Sequence, residues 1–411
     1  MTKHRILRQV AAASAVGALA VGLVGCGSSD SGSDGAKKET TTTAASSTKK
    51  PVLSEEQATA AATTYADLVF ASYSDTVDAT KQMQTDIEAF LANPTDATLQ
   101  TAKESWLAAR DVYGPTEVYR FYDGPIDNPD DGPEGQINAW PMDEAYVDYV
   151  QDDPEAGIIN DTKGVPEITR DVIVEANEDG GETNISTGWH AIEFLLWGQD
   201  LSETGPGERP VTDYTTAANA DRRGQYLTEV TDLLVDDLEG VTAQWDPDNG
   251  DYRAEFLKDP NQAVTNILRG MGALSAGELA GERIAVALDT KEQEDEHSCF
   301  SDNTDADVYN NALGIQRAYT EDYPGVDGTS LSDVVEEVNP ELNQDLLDQL
   351  EANVTLADSL KEYGTFEEII RSDDDAEGRQ KMNELVENLQ DQGDAIAALG
   401  AALGYEVSLE V

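Results

Sequence analysis

Cysteine, histidine, positive charge and long apolar runs are all scarce in this chain. Its 411 residues include two cysteines, Cys26 and Cys299, and three histidines, His4, His190 and His297. With Cys26 assigned below to a lipid, Cys299 has no partner, so no structural disulfide is expected. Lys and Arg together number 26 against 82 Asp and Glu, a net charge of −56. That balance excludes a general nucleic-acid binder, because phosphates would be repelled. It suits a surface that stays soluble at high salt or gathers cations. Alternating Val/Ile/Thr runs are nearly absent outside pieces such as Val172-Ile173-Val174, so strands are not expected. The 15 tyrosines and 5 tryptophans nevertheless supply the bulk of a packed core.

The one long apolar run lies at the start. Lys3, Arg5 and Arg8 precede Val10–Val24, which is too short for a comfortable membrane span, and Leu23-Val24-Gly25-Cys26 follows. Residues 1–26 therefore read as a bacterial lipoprotein signal cut before Cys26, which acyl chains would then anchor to a membrane. Residues 27–50, rich in Gly, Ser, Asp, Thr and Lys, read as a tether. The expected location is extracytoplasmic, on the cell envelope.

From Pro51 onward apolar residues recur every three or four positions, as in Tyr65, Leu68, Val69, Tyr73 and Val77. Asn93-Pro94 separates that helix from one carrying Leu99, Trp106 and Tyr113, which makes a hairpin. Residues 114–187 are rich in Gly, Pro, Asp and Asn, long for a connection inside a domain. Further helices are predicted near 217–243, 261–289, 306–319, 330–336, 340–359, 365–371 and 376–402. The fold class is all-α, as two helical bundles at 51–200 and 201–411 with the site between them. The closing helices echo the opening hairpin and point to a duplicated bundle.

The chemistry centres on Gly188-Trp189-His190-Ala191-Ile192-Glu193, followed by Phe194-Leu195-Leu196-Trp197. In a helix, His190 and Glu193 share a face three residues apart. Ser186-Thr187 precedes them as a hydroxyl cap. The bland reading is a core histidine bonded to its own neighbour. Glu117 and Arg120 have the same spacing, with a local ion pair as the bland reading. Between 261 and 289, Gly270, Gly272, Gly277 and Gly281 stand among small residues with Glu278 and Glu282. Interior glycines cost about 1 kcal/mol each against alanine, so a neighbouring backbone is expected close by. Arg283 and Arg269 are the alternative partners for those carboxylates.

Gly188-x-His190-x-x-Glu193 resembles the signature of the imelysin family, of imelysin-like peptidases and iron-regulated envelope proteins. The blocks at 116–127, 134–144, 278–283 and His297–Thr304 resemble the family too, so the likeness spans roughly residues 55–405 in order. The resemblance implies a metal site with His190, Glu193, Glu117 and Glu278 as ligands. It casts Arg120, Glu282, Arg283 and His297 as supporting residues. Where similar loops carry a further histidine, this chain has Asp305. Imidazole with several carboxylates suits iron, and zinc second. The implied role is iron acquisition at the envelope by binding iron or an iron-loaded ligand. An iron-uptake permease or another envelope component would be its partner, and nucleic acid would not. The competing readings are a metallopeptidase and a metal-free peptide or glycan module. The zinc-peptidase pattern His-Glu-x-x-His is absent.

Overall fold

A computed structural model describes residues 51–202 and 204–409. The expected signal, tether and lipidated Cys26 lie outside the described residues. Helix α1 (Glu55–Ala92) opens with a capping box, in which Ser54 and Gln57 satisfy each other's backbone amides. Its predicted stripe is the buried one: Tyr65, Leu68, Val69, Tyr73, Met83, Ile87 and Phe90 all face inward. Asn93 ends it, and Thr95 caps α2 (Asp96–Tyr113). The α2 chain then tightens into a 3-10 turn at Gly114–Tyr119, every residue of which is buried.

Helix α3 (Gly188–Trp197) carries the signature and is buried along its whole length. It is followed by α4 (Ala220–Gln244) and α5 (Pro260–Gly272). The chain continues from α5 without a break into a π-helical segment, Ala273–Ala285. Then come α6 (Thr304–Thr320), α7 (Pro340–Ser359), the short α8 (Phe366–Arg371) and α9 (Glu377–Leu403). The described residues contain no strand, only an isolated bridge between Val150 and Asp153. The all-α expectation holds.

The boundary expected at residue 200 does not separate two packing units. Helix α1 packs on α2 and also on α4 and α5, while α6 packs on the 114–119 turn. The described residues form one compact unit. The 199–210 stretch is a loop within it, stitched by Gly207 N–H to the Phe300 carbonyl (2.9 Å) and Arg209 N–H to that of Trp197 (2.7 Å). The core took in both halves because each long helix has apolar residues on more than one side.

The long 114–187 connection is ordered by charge at its centre. Asp148 is fully buried and accepts from Arg209 (2.8 Å) and Arg223 (2.6 and 2.9 Å). Burial opposes the charge on Asp148, yet the two guanidiniums hold its carboxyl below the ordinary range. That ties the loop to α4 and, through Arg209, to the Phe194 carbonyl of α3.

Candidate metal centre

Gly188 starts α3 at φ +76°, and a Cβ there would stand 2.3 Å from the Ile137 carbonyl oxygen. Only glycine allows the signature helix to begin so close to the 134–137 segment. The expected hydroxyl cap does not form. Ser186 instead donates to the Ile173 carbonyl (2.8 Å) and Thr187 to Asn177 (3.0 Å), which fastens the helix start to the preceding loop.

The first turn brings His190 Nδ1 to 2.9 Å from Glu193 Oε2. The other Glu193 oxygen accepts from the Ser301 amide (2.9 Å) and hydroxyl (2.7 Å). His190 Nε2 is buried without a hydrogen-bond partner. The His297 ring lies with its centroid 5.1 Å from that of His190. His297 Nδ1 is 2.8 Å from Asp307 Oδ2, which also accepts from the Ser298 hydroxyl (2.6 Å). Arg110 completes this side, donating to Asp307 (3.2 Å) and to Asn138 (2.5 Å). His190, His297, Trp140, Met142, Glu144 and Cys299 line a narrow crevice of only about 10 Å³.

Both imidazoles are neutral. Burial, reinforced by the Arg110 charge, pulls His190 down to about 3. Burial and then Arg283 bring His297 to about 3 as well. Burial lifts Glu193 to about 8 against the bonds from Ser301. Asp307 loses solvation too, but Arg110 and His297 hold it well below the carboxylate range. Cys299 is pushed far up by burial and by the nearby Glu193 and Glu296, so it presents a thiol rather than a thiolate ligand.

The four expected ligands fall into two groups. His190 and Glu193 are together; Glu117 and Glu278 belong to a separate charge cluster around Arg283. Arg283 reaches Glu117 at 2.5 Å, Glu278 at 2.9 Å and Asn311 at 2.6 Å. Arg120 bridges Glu117 (3.1 Å) to Glu134 (3.1 Å). Burial disfavours a charged Glu117, but Arg283 and Arg120 outweigh it and its carboxyl stays far below the usual range. Glu278 is lowered in the same way, mainly by Arg283 against burial. Both carboxylates are thus neutralised by guanidinium and bond to arginine rather than to an imidazole, while Glu117 and Arg283 still act on His190 through their charge. Glu282 faces solvent and takes no part.

Two structural features build that second cluster. Gly270 lets α5 approach the 3-10 turn, since a Cβ there would meet the Val118 carbonyl oxygen at 2.4 Å. The close backbone expected from the glycines is therefore real at this position. The π winding then decides the partner of Glu278. At about 100° per residue an α-helix would set Glu278 and Arg283 roughly 140° apart. The wider i→i+5 turn brings residues five apart onto one side.

Arg110, Asn138, Ser301 and Asp307 were not singled out from the sequence. Arg110 had a signal: it interrupts the buried stripe Trp106–Arg110–Tyr113, where an unpaired charge is not tolerated. Asp305, where similar loops carry a further histidine, has no hydrogen bond to His297. Its carboxyl is half-buried and pushed up to about 7 by burial and Asp302, while Asp307, two residues on, holds the imidazole.

Fold and site together define an all-helical protein whose signature helix buries an imidazole–carboxylate pair beside a second imidazole. The chain belongs to the imelysin family, whose model matches residues 69–396. It is 26% identical over 291 residues to iron-regulated protein A of Synechococcus elongatus, covering 68% of this chain and 69% of that one. Its fold is similar to an iron-regulated protein A precursor from Parabacteroides distasonis. The TM-score is 0.66 at 18% identity, covering 84% of this chain and 96% of the other. An imelysin-like protein from Psychrobacter arcticus gives 0.62 at 15% identity, covering 87% and 99%.

Proposed function

We propose that this chain binds iron outside the cytoplasm, held to a membrane through lipidated Cys26, and serves iron acquisition. The observation that carries the reading is His190 Nε2: a buried nitrogen with no partner, on a ring whose other nitrogen is held by a carboxylate. Metal-ligating imidazoles are oriented in this way, the carboxylate fixing the ring and its tautomer. Burial lifts Glu193 to about 8, and a cation bound at Nε2 would favour its ionised form; Nδ1 then carries the proton and Nε2 offers its lone pair. Glu193 then orients rather than coordinates, because Ser301 and His190 already occupy both of its oxygens. With Glu117 and Glu278 held by arginine, the protein supplies few donors of its own. The reading therefore favours iron that keeps other oxygen donors, from water or a small chelator. The relative's name, iron-regulated protein A, and the signal-like start of this chain agree with an exported role in iron handling.

Titration of the purified protein with ferrous iron, ferric citrate and zinc tests the proposal. Wild type is expected to bind an iron species more tightly than zinc, and the His190→Ala, Glu193→Ala double variant to lose about tenfold or more in affinity. Equal binding by both proteins contradicts it. A metallopeptidase needs a carboxylate free to take a proton from water, and Glu193 has no free oxygen. Chelator-sensitive cleavage of an unfolded protein substrate would support that other reading instead.

A further inference from the structure

Behind the imidazole centre, three carboxylates from separate segments converge. Asp200 lies in the loop after α3, Asp302 directly follows Ser301, and Glu367 sits in the first turn of α8. One ligand oxygen from each lies within 4.8 Å of the others. Like charges so close repel unless something neutralises them. The cation at hand is Arg371, which pairs with one oxygen of Glu367. The other, Oε2, is buried without any hydrogen-bond partner, in a residue only 1% exposed. Asp200 accepts from the Gln293 amide and the Ser202 N–H, both neutral donors. Asp302 and Asp200 are half-buried and so reachable from solvent.

The surroundings deepen the deficit of positive charge. Asp302 is lifted to about 6 by burial and then by Asp200, Glu193 and Glu368. Glu296 is lifted to about 9 by burial and then by Asp302 and Asp305. An all-oxygen set with no imidazole or thiolate selects hard ions such as calcium, magnesium or manganese over zinc or copper. The oxygens come from two loops and a helix end, an irregular frame that calcium accepts, whereas magnesium demands near-octahedral geometry. The two half-exposed members leave room for the waters that complete a calcium shell.

We propose that Asp200, Asp302 and Glu367 form a binding site for a divalent calcium-class cation, separate from the imidazole centre. The position gives the ion a structural task. Asp302 is joined to Ser301, whose amide and hydroxyl hold Glu193, and Asp200 is three residues from the end of the signature helix. A cation shared by both ties the Ser301 loop to that helix and to α8, and so steadies the group that orients His190.

The test uses the full chain purified in mild detergent, stripped with a chelator, and titrated with calcium, magnesium and manganese alone. Calorimetry is expected to show one calcium per chain, bound more tightly than magnesium, with a rise in the thermal midpoint on loading. Asp302→Asn and Asp200→Asn, each at a half-exposed position, should weaken calcium about tenfold or more and abolish the rise. His190→Ala should keep both responses, which separates this site from the iron reading. No binding at millimolar calcium overturns the proposal. So does binding that survives both Asp→Asn changes or that is lost in His190→Ala.

Discussion

Replacing Arg283 by methionine should be among the costliest single changes in the protein. Its guanidinium is 1% exposed and holds Glu117, itself 1% exposed, at 2.5 Å, together with Glu278 and Asn311. Removing one partner of a buried pair typically costs about 3–5 kcal/mol, because the other charge is left uncompensated. Here Arg120 still stands 3.1 Å from Glu117, which places the expected loss near the lower end, about 3 kcal/mol. Adding Glu117→Gln in the Arg283→Met background removes the stranded charge and should restore about 1–3 kcal/mol. Urea unfolding followed by tryptophan fluorescence measures both, since Trp189 packs 5.4 Å from Tyr113 beside the cluster. A single variant that loses under about 1 kcal/mol, or a double variant no more stable than the single, refutes the reasoning. Iron should not rescue Arg283→Met if Glu117 and Glu278 act only as the arginine's partners, to which both bond.

Gly188→Ala should cost about 1–3 kcal/mol from the backbone conformation alone, and more from the Ile137 carbonyl 2.3 Å from the new Cβ. It should also weaken iron binding, because α3 can no longer start where it does; an unchanged midpoint and affinity would contradict this. Glu321 is 3% exposed, with one oxygen bonded by the Leu331 amide and the other unpartnered. Burial, then Asp333 and Asp67, raises its carboxyl well above the ordinary value against the Leu331 bond. A group raised in the folded state contributes stability that is complete below its unfolded value and is lost as pH rises through the folded one. Glu321→Gln should therefore match wild type near pH 4 and melt higher near pH 8; the opposite order would show that the residue is ionised and usefully paired.

Much of the helical frame was legible because each long helix announces itself by period and by punctuation. The break at Asn93-Pro94 is where α1 ends, and the stripe from Tyr65 to Phe90 is the buried face. His190 and Glu193 were readable for the same reason, since i and i+3 on one helix must meet. The partners of Glu117 and Glu278 were not. Residues five apart are on different sides of an α-helix, and nothing local in 273–285 declares a π winding. Asp307 and Ser301 were not legible because they reach His297 and Glu193 respectively through the chain's tertiary packing, which no local spacing encodes. The split at residue 200 misled because a Gly- and Pro-rich loop looks alike whether it joins two bodies or lies on the surface of one.

Spin-echo spectroscopy of the iron-loaded protein, grown with 15N-histidine, tests the central claim most directly. Wild type should show iron coupled to the nitrogen of a single imidazole, and His190→Ala should abolish that coupling while His297→Ala leaves it in place. Iron without nitrogen coupling, or coupling that persists in His190→Ala, would contradict the account.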